Sequence, residues 1–248
     1  MIICKSPAEI EKLRRAGTTA RQILEEMRQL VRPGITTLEL EKFAEKRVSQ
    51  LDARSAFKGY RGYPCCLCTS VNEEIIHGIP SGRRLAEGDI LSLDMGVILD
   101  GFYGDSALTV PVGQISEPLQ KLLRVTAEAL EQGISKARLG NRLEDISATV
   151  QQHVEAQGYS VVREFVGHGI GRELHEEPQV PNYGKFGHGP RLKEGMVLAI
   201  EPMVTEHGKE VRVLEDQWTA VTMDGGYSAH FEHMVAITSN GPDVLTRL

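Results

Sequence analysis

Residues 89–110 constrain this chain more than any other stretch. They read Asp89-Ile-Leu-Ser-Leu-Asp94-Met-Gly-Val-Ile-Leu-Asp100-Gly101-Phe-Tyr-Gly-Asp105-Ser-Ala-Leu-Thr-Val110. Two apolar strands flank Asp-Gly, a residue pair that two-residue hairpin turns favour. With Asp100 and Gly101 in the turn, Leu99 pairs with Phe102 and Asp105 faces Gly96. Strand alternation then puts Asp94 on the same face as Asp105. Sliding the pairing until Asp94 faces Asp105 gives the same result, a bulge aside. Two neighbouring carboxylates in an apolar sheet repel each other and lose hydration. No Lys or Arg lies in the hairpin to offset this. A bound metal is the economical reading; a solvated hairpin with two surface Asp is the alternative.

The chain has 248 residues, 41% hydrophobic and 25% charged, enough for one large domain or two small ones. Its formal net charge of −6 argues against nucleic acid as the main partner. The opening Met-Ile-Ile-Cys-Lys is too short an apolar run for a signal peptide. No stretch approaches the roughly 20 apolar residues of a membrane span. A cytoplasmic protein is the expectation. Cys65, Cys66 and Cys68 crowd together, but no second Cys or His pair stands at zinc-ligand spacing. Cys65 and Cys66 read as small buried strand residues.

In chain order, Ser6-Pro-Ala-Glu9 is a capping box with Pro at the first helical position. Apolar residues from Ile10 to Val31 follow at helical spacing, and Pro33-Gly34 stops that helix. Thr36 and Glu39 cap a second helix to about Leu51. A strand is expected over Cys65–Val71. Ser116-Glu-Pro118 opens a third helix. Asn141 with Glu144 is expected to cap a fourth, ending at Gly158. Helix, Arg-x-Gly break and helix thus occur twice, at Arg32–Gly34 and Arg138–Gly140. Strand-rich segments follow each. We read one α+β domain over residues 1–248, built from two pseudo-symmetric halves of about 1–113 and 114–248, each an αα unit with antiparallel sheet. A ligand site belongs between them.

The second half has misfits of its own. His168 stands in the glycine-rich Val166-Gly-His-Gly-Ile-Gly171, which fails the dinucleotide spacing. Glu201 and Glu232 sit in the apolar runs 196–204 and 231–237, where Glu is depleted and seldom buried unpaired. Each has an ordinary explanation alone. Together, Asp94, Asp105, His168, Glu201 and Glu232 are four carboxylates and one imidazole, more anionic charge than one divalent ion needs. Two divalent ions bridged by carboxylates suit them better. Oxygen-rich donors favour Mn, Fe or Co over a thiolate-loving zinc site. Such a pair acidifies a bound water and polarises a carbonyl, which is hydrolase chemistry.

At this point the chain resembles the type I methionine aminopeptidases. The motifs are His77-Gly-Ile-Pro80, Leu93-Asp94-Met-Gly, Gly104-Asp105-Ser, Gly167-His168-Gly-Ile-Gly171, His175-Glu-Glu-Pro-Gln-Val-Pro-Asn-Tyr183, Ile200-Glu201-Pro-Met203 and Phe231-Glu232-His-Met-Val235. The resemblance implies the pita-bread fold around a dimetal site. It implies release of N-terminal methionine from proteins and peptides whose second residue is small. It also implies that Asp94 chelates one ion, Asp105 and Glu232 bridge, and His168 and Glu201 hold the other. Glu201 would also shuttle a proton, His77 touch the scissile nitrogen and His175 stabilise the oxyanion. A methionine pocket of Phe57, Tyr60, Tyr63, Cys68, His77, Leu174, His175 and Trp218 is implied. Phe57 and Leu174 stand where some relatives have Cys and an aromatic, and they keep an apolar wall. His77 and His175 lie in loops, which suits general acid and electrophile roles. His153, His188, His207 and His230 have no such context.

Nascent polypeptide N-termini are the expected partners, with the ribosome a further one and a monomer as the expected state. The nearest rivals, prolidase and aminopeptidase P, carry a large N-terminal domain, whereas a first helix from about residue 7 leaves no room for one. The zinc-binding extension of some type I enzymes and the long insert of type II are absent too. A non-catalytic binding module of the same fold would have lost ligands; all five are here.

Overall fold

The computed structural model describes residues 1–248, and its central element is the hairpin. Strands Ile90–Leu99 and Phe102–Pro111 pair without a bulge from Leu99↔Phe102 to Ile90↔Pro111. Asp100 and Gly101 both have positive φ, +50° and +77°, the backbone that a type I′ turn requires. Gly96 faces Asp105 and Asp94 faces Ala107, the first of the two expected registers. Leu67–Val71 and Arg54–Ser55 add to the outer edge of Ile90–Leu99. The strand expected from Cys65 starts at Leu67 because the amides of Cys66 and Leu67 donate to the buried Glu41 carboxylate, at 2.8 and 3.0 Å. Cys66 is buried, but Cys65 is only half-buried.

Helix α1, Pro7–Arg28, carries the expected capping box of Ser6 and Glu9, and α2, Thr37–Gln50, that of Thr36 and Glu39. Leu13, Ala16, Ala20, Ile23, Leu24 and Met27 form the buried stripe of α1. Most of that stripe packs with Leu40 and Ala44 of α2 on Leu91, Leu93, Met95 and Val97 of the hairpin. Gly104 lets α1 come close: a Cβ there would overlap the backbone of Ala16 and Gly17.

Helices α3, Glu117–Lys136, and α4, Leu143–Ala156, back the other sheets. The cap of α4 differs from expectation. Arg142 is the N-cap, and its amide donates to Asp145 at 2.7 Å. The Asn141 side chain turns back to donate to the Lys136 carbonyl at 2.9 Å, closing the end of α3 instead. Leu130, Ile134, Leu143 and Ile146 bury Leu198, Ile200, Val235 and Ile237 of a five-stranded sheet. That sheet runs Gly241–Val244, His233–Thr238, Val197–Ile200, Gly167–Gly169, Glu176–Val180. Met203–Thr205 lies between Ser228–His230 and Ser160–Val161 in a further sheet; Val211–Val213, Ala220–Thr222 and Glu74–Ile76 form the last.

One register links these sheets to the hairpin. Ile200 pairs with His233, and Met203 pairs with His230. The same offset on both sides of the break puts Glu201 opposite Glu232. The apolar strands expected to contain these two Glu residues stop beside them. Pro202 has no N–H to continue a ladder, and Glu232 instead donates its amide to Ala107 of the hairpin at 2.9 Å. His168, in its glycine-rich run, occupies a three-residue strand opposite Ala199.

Filling the close approach at residue 104 tests this arrangement. Gly104→Ala should destabilise the protein by about 1–3 kcal/mol or more, the usual cost of overpacking. Urea unfolding checks it; an unchanged midpoint would mean that α1 does not rest on the hairpin.

Candidate metal centre

Residues facing each other across neighbouring antiparallel strands project on the same side. One such row runs Cys68, Asp94, Ala107, Glu232 and, by the common offset, Glu201. The next row holds Gly96 and Asp105, with Met234, Ala199 and His168. Asp105 and His168 therefore sit one step along the strands from the three other carboxylates. Five side chains that are far apart in sequence meet on one surface, and none is more than 8% exposed.

The distances bear this out. His168 Nε2 lies 3.5 Å from Glu201 Oε1 and 3.9 Å from Asp105 Oδ2. Donor atoms of Asp105, His168 and Glu232 all fall within 4.8 Å of one another. His168 Nδ1 is 2.9 Å from the Gly169 carbonyl, so Nδ1 carries the proton and Nε2 turns a lone pair to the carboxylates. Burial pushes the His168 imidazole down to about 3, with His175 adding to the shift. Burial raises Asp105 to about 7. Burial, then neighbouring carboxylates, hold Asp94, Glu201 and Glu232 well above the usual range.

Asp94 Oδ1, Asp105 Oδ1 and Glu232 Oε1 are buried without a hydrogen-bond partner. No Lys or Arg pairs with any of the four carboxylates. Unpaired buried carboxylate oxygens are costly unless protonated or bound to a cation. Four carboxylates converging with one imidazole lone pair suit divalent metal ions. A second group, Glu41, Glu45 and Cys66, does not: Glu41 accepts two backbone amides and Glu45 pairs with Lys58.

The five residues floor a cavity of about 270 Å³. All eight expected pocket residues line it: Phe57, Tyr60, Tyr63, Cys68, His77, Leu174, His175 and Trp218. Tyr63 meets Trp218 edge-on at 5.1 Å. His77, with φ +63°, stands between Phe165 and Trp218 at 5.5 and 6.1 Å. Gly78 anchors that turn by donating to Ser70 Oγ at 3.1 Å. Burial, then His175, lowers His77 to about 4. His175 sits at the rim, its ring 4.3 Å from His168 and its Nδ1 2.7 Å from the Tyr60 hydroxyl. Its loop is pinned by the buried Glu176 carboxylate, which takes the ammonium of Lys5 and the Arg172 amide.

Sequence reasoning missed Arg61, Ile76, Phe165 and Val166 in the lining. Ile76 and Val166 directly flank the motifs of His77 and His168, a signal that was open to use; Arg61 and Phe165 had none. It also passed over His230, which is 1% exposed with Nε2 3.6 Å from Glu201 Oε2. The Ala-His-Phe-Glu run did not separate this histidine from His233, which bonds Thr246 instead. His153 and His207 lie beside Glu128 and Glu206, away from the cavity.

Fold and site together define a metallopeptidase. A family model described as Metallopeptidase family M24 matches residues 11–239. The chain is 52% identical over 248 residues to methionine aminopeptidase 1 of Bacillus subtilis, covering 100% of both. It superposes on the crystal structure of a methionine aminopeptidase from Thermotoga maritima with a TM-score of 0.98, at 48% identity and 100% of each chain. A prolidase from Pyrococcus furiosus shares the fold at a TM-score of 0.78, with 23% identity and 66% of its chain covered. The chain belongs to metallopeptidase family M24 and, within it, to the methionine aminopeptidases, with their pita-bread fold.

The raised carboxylates make a pH prediction for metal-free protein. Between pH 6.5 and 8 they bind protons in the native state that they lack unfolded, so stability falls as pH rises. The depressed His77, His168, His175, His230 and His233 act oppositely, but their effect fades above about pH 7, where unfolded imidazoles are mostly neutral, and the carboxylates outweigh it there. After chelation, Tm should drop from about pH 6.5 to 8, and a divalent ion should abolish the drop. Scanning calorimetry checks this; a Tm rising across that range in the metal-free protein would contradict the cluster.

Proposed function

We propose that the protein is a dimetal aminopeptidase that removes N-terminal methionine when the second residue is small. The observation that carries this is a cavity with an apolar, aromatic wall, floored by four buried carboxylates that no Lys or Arg neutralises and by an imidazole lone pair. Asp94 would hold one ion, Asp105 and Glu232 bridge, and His168 and Glu201 hold the other. The row order supports the set, since Glu232 comes between Asp94 and Glu201. Mn, Fe and Co are the metals that suit these donors. When bound, such a pair supplies an activated water and a Lewis acid for the scissile carbonyl.

The residues do the rest. Phe57, Tyr63, Leu174 and Trp218 offer an apolar, aromatic surface to an unbranched thioether and exclude water from it. Glu201 takes the proton of the attacking water and passes it to the departing amine. His77, kept neutral by burial, hydrogen-bonds the scissile nitrogen. If the Tyr60 hydroxyl donates to His175 Nδ1, the other ring nitrogen carries the proton. That tautomer is the one a donor to the oxyanion needs. The two histidines crowd the second substrate residue, so bulk there is rejected. The substrates would be nascent polypeptide N-termini, handled by a monomeric cytoplasmic protein of one domain with two pseudo-symmetric halves. Contact with the ribosome would bring those termini to it. No helix is long and apolar enough to cross a membrane.

Asp105→Asn keeps the size of the side chain and removes a bridging anion, so bound metal and activity should be lost together. Calorimetric titration checks this, and unchanged stoichiometry and activity would remove the bridging role. His175→Ala should keep its metal and lose about 100- to 1000-fold in kcat; metal loss would make His175 a ligand. Met-Ala-Ser should be cut far faster than Met-Leu-Ser, and Ala-Pro-Ala hardly at all. Preference for the proline peptide would move the protein to the proline-specific peptidases. No cleavage with any metal would leave a binding module.

A further inference from the structure

A third row of facing residues runs beside the first two: Ser70, Ser92, Thr109, His230 and Met203. His230 belongs to it because the Thr109 hydroxyl grips its backbone from both sides. His230 N–H donates to Thr109 Oγ1 at 2.8 Å, and Thr109 O–H donates to the His230 carbonyl at 2.9 Å. Thr109 has then spent its one proton. The Ser92 hydroxyl, 2.8 Å away, must donate to it, which leaves no ambiguity in the network. The backbone of His230 is locked, and its ring stands on the same surface as the metal-site rows, one step from Glu201.

The imidazole does nothing else. His230 is 1% exposed and its Nε2 has no hydrogen-bond partner. The nearest carboxylate oxygen is Glu201 Oε2, at 3.6 Å. The other oxygen of that carboxylate, Oε1, faces His168 Nε2 at 3.5 Å. Glu201 is thus flanked by two histidines, one per oxygen. A buried ring nitrogen without a partner costs about 1–3 kcal/mol, and a carboxylate free to rotate could present either oxygen or both to an ion.

We infer that His230 is a positioning residue for Glu201: a small shift of ring or carboxylate closes the 3.6 Å gap and lets Nε2–H donate to Oε2, so that only Oε1 is offered beside His168. This rests on the proposed reading of the metal centre and gives one of its ligands a fixed orientation. It also divides the labour of one carboxylate. Oε1 serves the ion, and Oε2, held in plane by His230, is the oxygen left to move a proton. Ser70, in the same row, anchors the His77 turn through Gly78, so one strip of polar side chains orients two groups of the site.

Three variants test the inference: His230→Leu, which has no donor; His230→Asn, which is polar but too short to reach; and His230→Gln, which restores an N–H at similar reach. Folding is followed by circular dichroism. Mn is titrated calorimetrically into chelated protein, and kcat and KM are measured on Met-Ala-Ser. Losing the partner of a metal-binding side chain typically costs about 10- to 100-fold. That loss is expected in Leu and Asn variants, in the affinity for one of the two ions and in kcat, with KM for the peptide little changed. The Gln variant should recover most of both. Should His230→Leu not fold, the contrast between Asn and Gln decides. Equal values for all three variants and the parent would overturn the positioning role, as would equal losses in Asn and Gln. A parent that binds no Mn would instead remove the reading of the metal centre itself.

Discussion

The site depends on a single offset held across neighbouring strands. A slip of one residue in the pairing of 228–238 with 197–205 would turn Glu201 and Glu232 to opposite faces. Several local features prevent it. The Asp100-Gly101 turn fixes the hairpin, the Ala107–Glu232 bridge fixes the hairpin to the second sheet, and Thr109 clasps His230 one step further on. Pro202 interrupts the ladder without changing the offset. The helices then make the register irreversible in practice: α1 and α2 bury the far face of the hairpin, and α3 and α4 that of the five-stranded sheet.

Such rigidity has an electrostatic purpose. Like charges close together in a sheet destabilise it, and here four carboxylates are held together with no Lys or Arg among them and only neutral imidazoles beside them. Desolvation keeps them hungry for protons or metal, and the same desolvation keeps His77 and His168 neutral. Neutral imidazoles can be ligands and hydrogen-bond partners, whereas imidazolium could not be a ligand. One property of the site, the burial of its side chains, therefore prepares carboxylates and histidines for different tasks.

Much of this was legible in the chain. Capping boxes at Ser6 and Thr36 announced two helices, and Asp-Gly with alternating apolar residues announced the hairpin and its register. Carboxylates in apolar strands stood out because burial of a lone anion is so costly. The cap of α4 was misplaced by one residue, since Asn141 and Arg142 compete for adjacent backbone groups and only packing decides. The apolar runs around Glu201 and Glu232 read as continuous strands, but both residues lie at a break that Pro202 and the hairpin contact create together. Phe165, Arg61 and His230 escaped notice because proximity between sheets leaves no local pattern. The role of His230 depends on Glu201 being opposite Glu232, a relation between segments rather than within one.

The tie between Lys5 and Glu176 spans 171 residues, and the Ser106 hydroxyl reaches the Glu232 carbonyl across 126. Contacts this distant in sequence are slow to form, because the entropy of closing the loop comes before any reward. During synthesis, the hairpin strands that carry Asp94 and Asp105 leave the ribosome long before Glu201 and Glu232 exist. The early hairpin must spend that interval with its two acids hydrated or protonated, and Lys5 has no Glu176 to pair with. A protein proposed to trim other chains as they emerge is itself unable to do so until its own synthesis has passed residue 232.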